Sequence, residues 1–81
     1  MTRDDLPPRI QTLAQRALYN NLGKNEALAI LLDDVIRGVK KADWRGNPPR
    51  ENEIKYEIYK ILEDESEVER IFAIIKQQNE Y

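Results

Sequence analysis

Apolar residues recur at three- and four-residue steps in four short stretches of this chain, and nowhere do they alternate over the length of a strand. That periodicity is the strongest constraint on the fold. It predicts helices with one buried face each, and an all-α chain. With 81 residues there is room for one domain. A core of that size supplies only about 3–5 kcal/mol of net stability, so partners commonly add to it.

The first predicted helix covers about residues 8–21. Ile10, Leu13, Ala14, Ala17, Leu18 and Asn21 share one face, Pro8 suits a first helical position and Gly23 a left-handed stop. The second covers about 26–42, with Asn25 as N-cap. Ala27, Leu28, Leu31, Leu32, Val35 and Val39 form its stripe, widened by Ile30 and Ile36, so it is expected to be the central, most buried helix. Gly38 inside it suggests a close helix crossing or a weak point. Asp43-Trp44-Arg45-Gly46-Asn47-Pro48-Pro49 is the one irregular stretch, with Gly46 free to take positive φ and Asn47-Pro48 reading as N-cap and N1.

The third helix covers about 48–62, with Ile54, Ile58, Ile61 and Leu62 on its apolar face and Tyr56 and Tyr59 flanking. Glu51 and Lys55 are spaced for an i, i+4 ion pair. The fourth covers about 66–78, with Val68, Ile71, Phe72 and Ile75 on one face and Ile74 beside it. Its capping box starts at Ser66, or two residues earlier at Asp64. Links of about 2–5 residues predict a small four-helix bundle with mostly antiparallel neighbours.

Chemistry is constrained by what is missing. With no cysteine and no histidine there is no disulfide, no thiolate metal site and none of the usual neutral-pH acid–base residue. Ser66 is the only serine and sits in no nucleophile elbow, and three glycines do not make a phosphate loop. Asp33 and Asp34 are adjacent on a helix and cannot easily converge on a metal. The acids around Glu63–Glu69 are where a helix start wants negative charge. The expectation is a chain with no catalytic residue, no metal and no cofactor of its own. The longest apolar run, Ala27–Leu32, is far short of a membrane span, and Met1–Pro8 holds no apolar signal region, so a cytoplasmic location is expected.

The net charge of −2 conceals an uneven distribution. Residues 37–50 carry five basic side chains and one acid, net +4; residues 51–81 carry four basic and nine acidic, net −5. Arg37, Lys40, Lys41, Arg45 and Arg50 therefore surround Trp44. Cations around a planar ring suit a partner contact, or phosphate and base stacking. The same residues suit a structural role, with Lys40 and Lys41 capping the helix dipole, Trp44 plugging the core, its indole N–H on a carbonyl, and Arg45 paired with an acid on the third helix.

Several stretches together resemble a known family. They are Ala27-Leu28-Ala29-Ile30 through Val35 and Val39, Asp43-Trp44-Arg45-Gly46-Asn47, Glu53-Ile54-Lys55 with Ile58, Tyr59 and Leu62, Val68-Glu69-Arg70-Ile71-Phe72, and Ile74 to Tyr81. From about residue 20 onward the chain resembles the extreme C-terminal segment of the R (restriction and motor) subunit of type I restriction–modification enzymes. The resemblance implies a helical region that docks an ATP-dependent translocase and nuclease onto a core of methyltransferase (M) and specificity (S) subunits, and meets DNA only through the complex. ATP and magnesium would serve domains of the parent enzyme. No nuclease or helicase motif is present here; Glu53-Ile54-Lys55 matches only the end of a nuclease motif and falls on a predicted helix. The family supplies no catalytic residue for these positions. A DNA- or nucleotide-contacting module built on the basic loop, or a free-standing helical adaptor, are the other readings the residues allow.

Overall fold

The computed structural model describes residues 7–40 and 42–81, and these form the all-α architecture that the periodicity predicts. Four helices follow in order: α1 Leu13–Asn21, α2 Glu26–Val39, α3 Pro48–Leu62 and α4 Glu65–Lys76. Each packs on its chain neighbours, and α1 also packs on α4, so the helices close a ring. No helix is central. The expectation that α2 would sit in the middle is corrected, because a ring of four gives every helix two neighbours.

Polar contacts give the directions. Gln15 of α1 meets Asp33 of α2, and Arg70 of α4 reaches the carbonyl of Asn21. Lys55 pairs with Glu69, and Glu51 with Lys76. Residue numbers fall along one helix as they rise along the other across α3/α4, so that pair is antiparallel. The short links reverse the chain at α1/α2 as well.

Local chemistry sets each boundary. Pro7 and Pro8 make a turn rather than a first helical turn, with the Ile10 N–H on the Pro7 carbonyl at 3.0 Å. The helix waits until Thr12, whose side chain accepts from the Gln15 N–H at 3.0 Å while the Gln15 side chain accepts from the Thr12 N–H at 3.2 Å. This capping box fixes the phase of α1. Ala14 and Leu18 point inward, Ile10 reaches the core from the turn, and Leu13, expected on the buried face, is 68% exposed.

In α2 the buried line runs Ala29, Leu32, Asp33 and Ile36, with Leu31 exposed. The face is therefore rotated from the Ala27–Leu31–Val35 line. The helix stops at Val39, three residues early, because Lys40 turns extended (φ −69°, ψ 147°) and lets the chain drop Trp44 into the core. Gly38 does not mark a close crossing: it is exposed, with nothing within 4 Å of where a Cβ would lie.

α3 begins as expected at Asn47 and Pro48, with Gly46 at φ +74°. Glu63 in the left-handed region ends it, which leaves the next residue, Asp64, to cap α4 through the Glu67 N–H at 3.1 Å; Ser66 lies inside the helix. The apolar face of α4 is as predicted, with Val68, Ile71, Phe72 and Ile75 all buried. The i, i+4 pair Glu51–Lys55 is not formed. Both residues choose partners on α4 or the preceding loop, where each also links two elements.

Two substitutions test these local assignments with opposite signs. Thr12→Ala removes the capping box and should cost about 1 kcal/mol in urea unfolding. Gly38→Ala replaces an exposed mid-helix glycine with a better helix former and should stabilise by about 0.5–1 kcal/mol. A loss on Gly38→Ala would mean that something packs on that position.

Candidate functional site

The basic loop is where sequence pattern concentrated, and the structure spends most of it internally. Trp44 is 1% exposed. Its ring meets the edge of Phe72 with centroids 5.8 Å apart and planes at 67°, an arrangement worth about 0.5–1.5 kcal/mol beyond burial. The Arg45 guanidinium lies over the ring, 4.6 Å from its centre. The core-plug alternative for Trp44 is thus the one the fold adopts.

One detail differs from that alternative. The indole N–H has no acceptor among the described residues. The carbonyls at the end of α4, within reach of this loop, are held by the Arg45 guanidinium. Its Nε donates to Lys76 O at 3.2 Å, its Nη1 to Tyr81 O at 2.8 Å and its Nη2 to Gln78 O. Arg45 does not pair with an acid on α3. It caps the C-terminal end of α4, where the unpaired carbonyls and the helix dipole both favour a cation.

The remaining basic residues divide. Lys40 is half-buried at the α2 cap. Lys41 lies outside the described residues. Arg50 is half-buried and makes an i, i+3 pair with Glu53 at 3.7 Å. Glu51, the next residue, accepts the Gly46 N–H at 2.8 Å and faces Lys76; the backbone N–H first, and then Lys76, hold its carboxyl below the usual range.

The arrangement that sequence reasoning missed is centred on Asp33. It is the one buried charged side chain among the described residues, 2% exposed. Three donors converge on its carboxylate. Gln15 Nε2 from α1 donates at 3.0 Å, Arg37 Nε, one turn on, donates at 3.1 Å, and the Tyr81 hydroxyl donates to Oδ1. Arg37 also pairs with Glu80 at 3.1 Å and lies 5.0 Å from the Tyr81 ring centre. Glu80 in turn accepts the free N–H of Leu13 at the start of α1, at 3.1 Å. A signal for this was present: Asp33 lies four residues after Ala29 and four before Arg37. That spacing places an acid on the apolar line with a cation in reach.

Asp33 and Asp34 point apart, one buried and one exposed, so they do not converge. Among the described residues no group of three or more acids is placed to hold a metal ion. No helix there is long and apolar enough to cross a membrane.

A different feature opens to solvent. Between α3 and α4 lies a groove of about 590 Å³, walled by Tyr56 and Tyr59 on α3 and by Val68 on α4. Tyr56 is 62% and Tyr59 42% exposed, the largest aromatic area that the molecule shows among its described residues.

The Tyr81–Asp33 contact makes a prediction about alkaline pH. Burial first, and then the hydrogen bond to Asp33, raise the Tyr81 hydroxyl well above its ordinary value of 10.0. The folded state therefore keeps a proton that the unfolded state releases. Stability from this group is complete below about pH 10 and declines above it, by at most about 1.4 kcal/mol per pH unit. Tyr81→Phe should destabilise at pH 7 by about 1–2 kcal/mol, by removing one donor from a buried carboxylate, and should flatten the loss above pH 10. Urea unfolding of both forms between pH 8 and 11 checks this, and parallel pH curves would contradict it.

No protein-family model, curated protein or solved structure matches this chain.

Proposed function

We propose that this chain is a non-catalytic assembly domain of a type I restriction enzyme motor subunit, one that docks the ATP-dependent translocase and nuclease onto the methyltransferase core. The observation that carries the reading is how the resembling stretches meet. The Asp43–Asn47 loop and the segment ending in Asn79-Glu80-Tyr81 lie some thirty residues apart, and Arg45 joins them through three carbonyl contacts. The loop also sets Trp44 against Phe72 of α4, and the terminal segment reaches α2 through the Tyr81 hydroxyl on Asp33. Stretches that resemble one family therefore form one interlocked unit, as expected if they are kept together to hold a docking domain in shape.

A DNA-contacting role through the basic loop has less support. Trp44 offers no exposed face for stacking, Arg45 is engaged with backbone, and Arg50 has an acid beside it. A cytoplasmic location goes with the assembly reading, as does service of ATP and magnesium to domains outside this chain.

Isothermal calorimetry of the chain against a purified core of M and S subunits from the same organism is the direct test. A saturable one-site heat is expected, and none would remove the proposal. In parallel, Trp44 fluorescence should be unchanged by duplex DNA at 50 and 200 mM salt. A response that weakens steeply with salt would favour the DNA reading instead.

A further inference from the structure

We infer that the α3–α4 groove seats a basic amphipathic helix of a partner protein. The argument starts from shape. The two antiparallel helices present side by side a trough whose α3 wall runs from Asn52 to Tyr59, about 10 Å or two helical turns. Tyr56 and Tyr59 stand three residues apart on that wall, and Val68 faces them from α4. An apolar trough of that length fits residues spaced i, i+3, i+4 and i+7 on an incoming helix, which would lie as a third helix across the pair. Tyrosine is suited to such a contact, with a flat apolar body, a hydroxyl that tolerates water and few rotamers to freeze.

Charge selects the occupant. The cations near the trough are already engaged. Lys55 pairs with Glu69 at 3.3 Å, and Lys60 pairs with Glu57 at 3.2 Å while lying 5.2 Å from the Tyr56 ring centre. The acids at the turn end are not. Glu63 and Glu65 have no cation within ion-pair distance among the described residues, and both are exposed. The trough thus carries an excess of negative charge at one end, in the segment of the chain whose net charge is −5. A helix with lysines or arginines flanking its apolar face complements it; an acidic one is repelled. The same excess argues against a second copy of this chain, since two such surfaces would bring their acids together.

The inference rests on the assembly reading only for the owner of the helix, which would then be a methyltransferase or specificity subunit.

Fluorescence anisotropy with a labelled 14-residue peptide tests it, the peptide having leucines at helical spacing and lysines elsewhere, beside a counterpart with glutamates in place of lysines. The lysine peptide should bind and the glutamate peptide should not. Tyr56→Ala with Tyr59→Ala should weaken binding roughly tenfold, and Glu65→Gln several-fold, whereas Leu31→Ala on the exposed side of α2 should change nothing. All three variants replace exposed or half-exposed side chains, and unchanged thermal midpoints would show that they fold. Equal binding of both peptides overturns the inference, as does equal binding by the tyrosine variant or an equal loss on Leu31→Ala. Sedimentation showing a dimer that the tyrosine variant abolishes overturns it in favour of self-association. The M–S core separates the two proposals. If the core binds wild type and tyrosine variant alike, the groove is wrong and the assembly reading stands. If the peptide results hold but no core binds, the groove stands and the assembly reading falls.

Discussion

A carboxylate that is 2% exposed must find donors or lose its charge, and the bundle is arranged around meeting that demand for Asp33. Its donors come from three places: a neighbouring helix, the next turn of its own helix, and a tyrosine nearly fifty residues away. Each donor is thereby fixed in position. Gln15 serves twice, since its carbonyl oxygen completes the capping box that starts α1 while its amide nitrogen reaches Asp33. The start of α1 and the middle of α2 are thus coupled through one side chain. Such a network adds little net stability compared with apolar residues of the same volume, but leaving it incomplete is costly. Its effect is to select one register of α1 on α2 and one position for the residues after α4.

Arg45 does the same at the opposite side of the segment after α4. The carbonyl of Lys76 closes α4, and those of Gln78 and Tyr81 belong to the segment just after it. A guanidinium presents a planar fan of donors that can serve several of them at once. Because Arg45 is adjacent to Trp44, tying down those carbonyls also holds the indole against Phe72. The indole N–H, which has no acceptor among the described residues, is the cost of that placement, about 1–3 kcal/mol for an unmet buried donor. The T-shaped contact and the burial of the largest side chain in the protein offset it.

Much of this architecture was legible in the sequence. Helix number, the α3 boundaries, the caps at Asn25 and Asn47, the positive φ of Gly46 and the whole apolar face of α4 follow from spacing and from turn chemistry. The two misreadings of helix phase share one physical cause. The phase of α1 and α2 was read from apolar residues alone, whereas side chains with polar atoms set it: the Thr12–Gln15 box turns Leu13 outward, and the demands of Asp33 turn Leu31 away. In the basic loop the partner of Arg45 was misread for a related reason. A cluster of cations in a sequence does not reveal which of them face free carbonyls, and Arg45 faces three. Trp44 could be read either as plug or as contact, because an aromatic residue beside arginines satisfies both patterns until the chain around it is folded.

The distribution of roles bears on what a sequence resemblance of this kind can carry. Within the stretches that resemble the restriction-enzyme segment, Trp44, Ile71, Phe72 and Tyr81 are buried and Arg45 is tied to backbone carbonyls, whereas Tyr59 stands on the groove. The inward set specifies a shape. A residue kept for shape says little about which surface meets a partner, so a docking face has to be sought among side chains that the lock does not use. Tyr56 and Tyr59 are of that kind. They stand on the solvent side of α3, the helix whose inner face is held by Ile54 and Ile58 alone among its fully buried residues. Fixing the segment after α4 internally leaves the groove between Asn52–Tyr59 of α3 and Glu65–Glu69 of α4 open to solvent. That division suits a domain whose modest core is rigidified from within and whose binding energy is drawn from a face it does not need for folding.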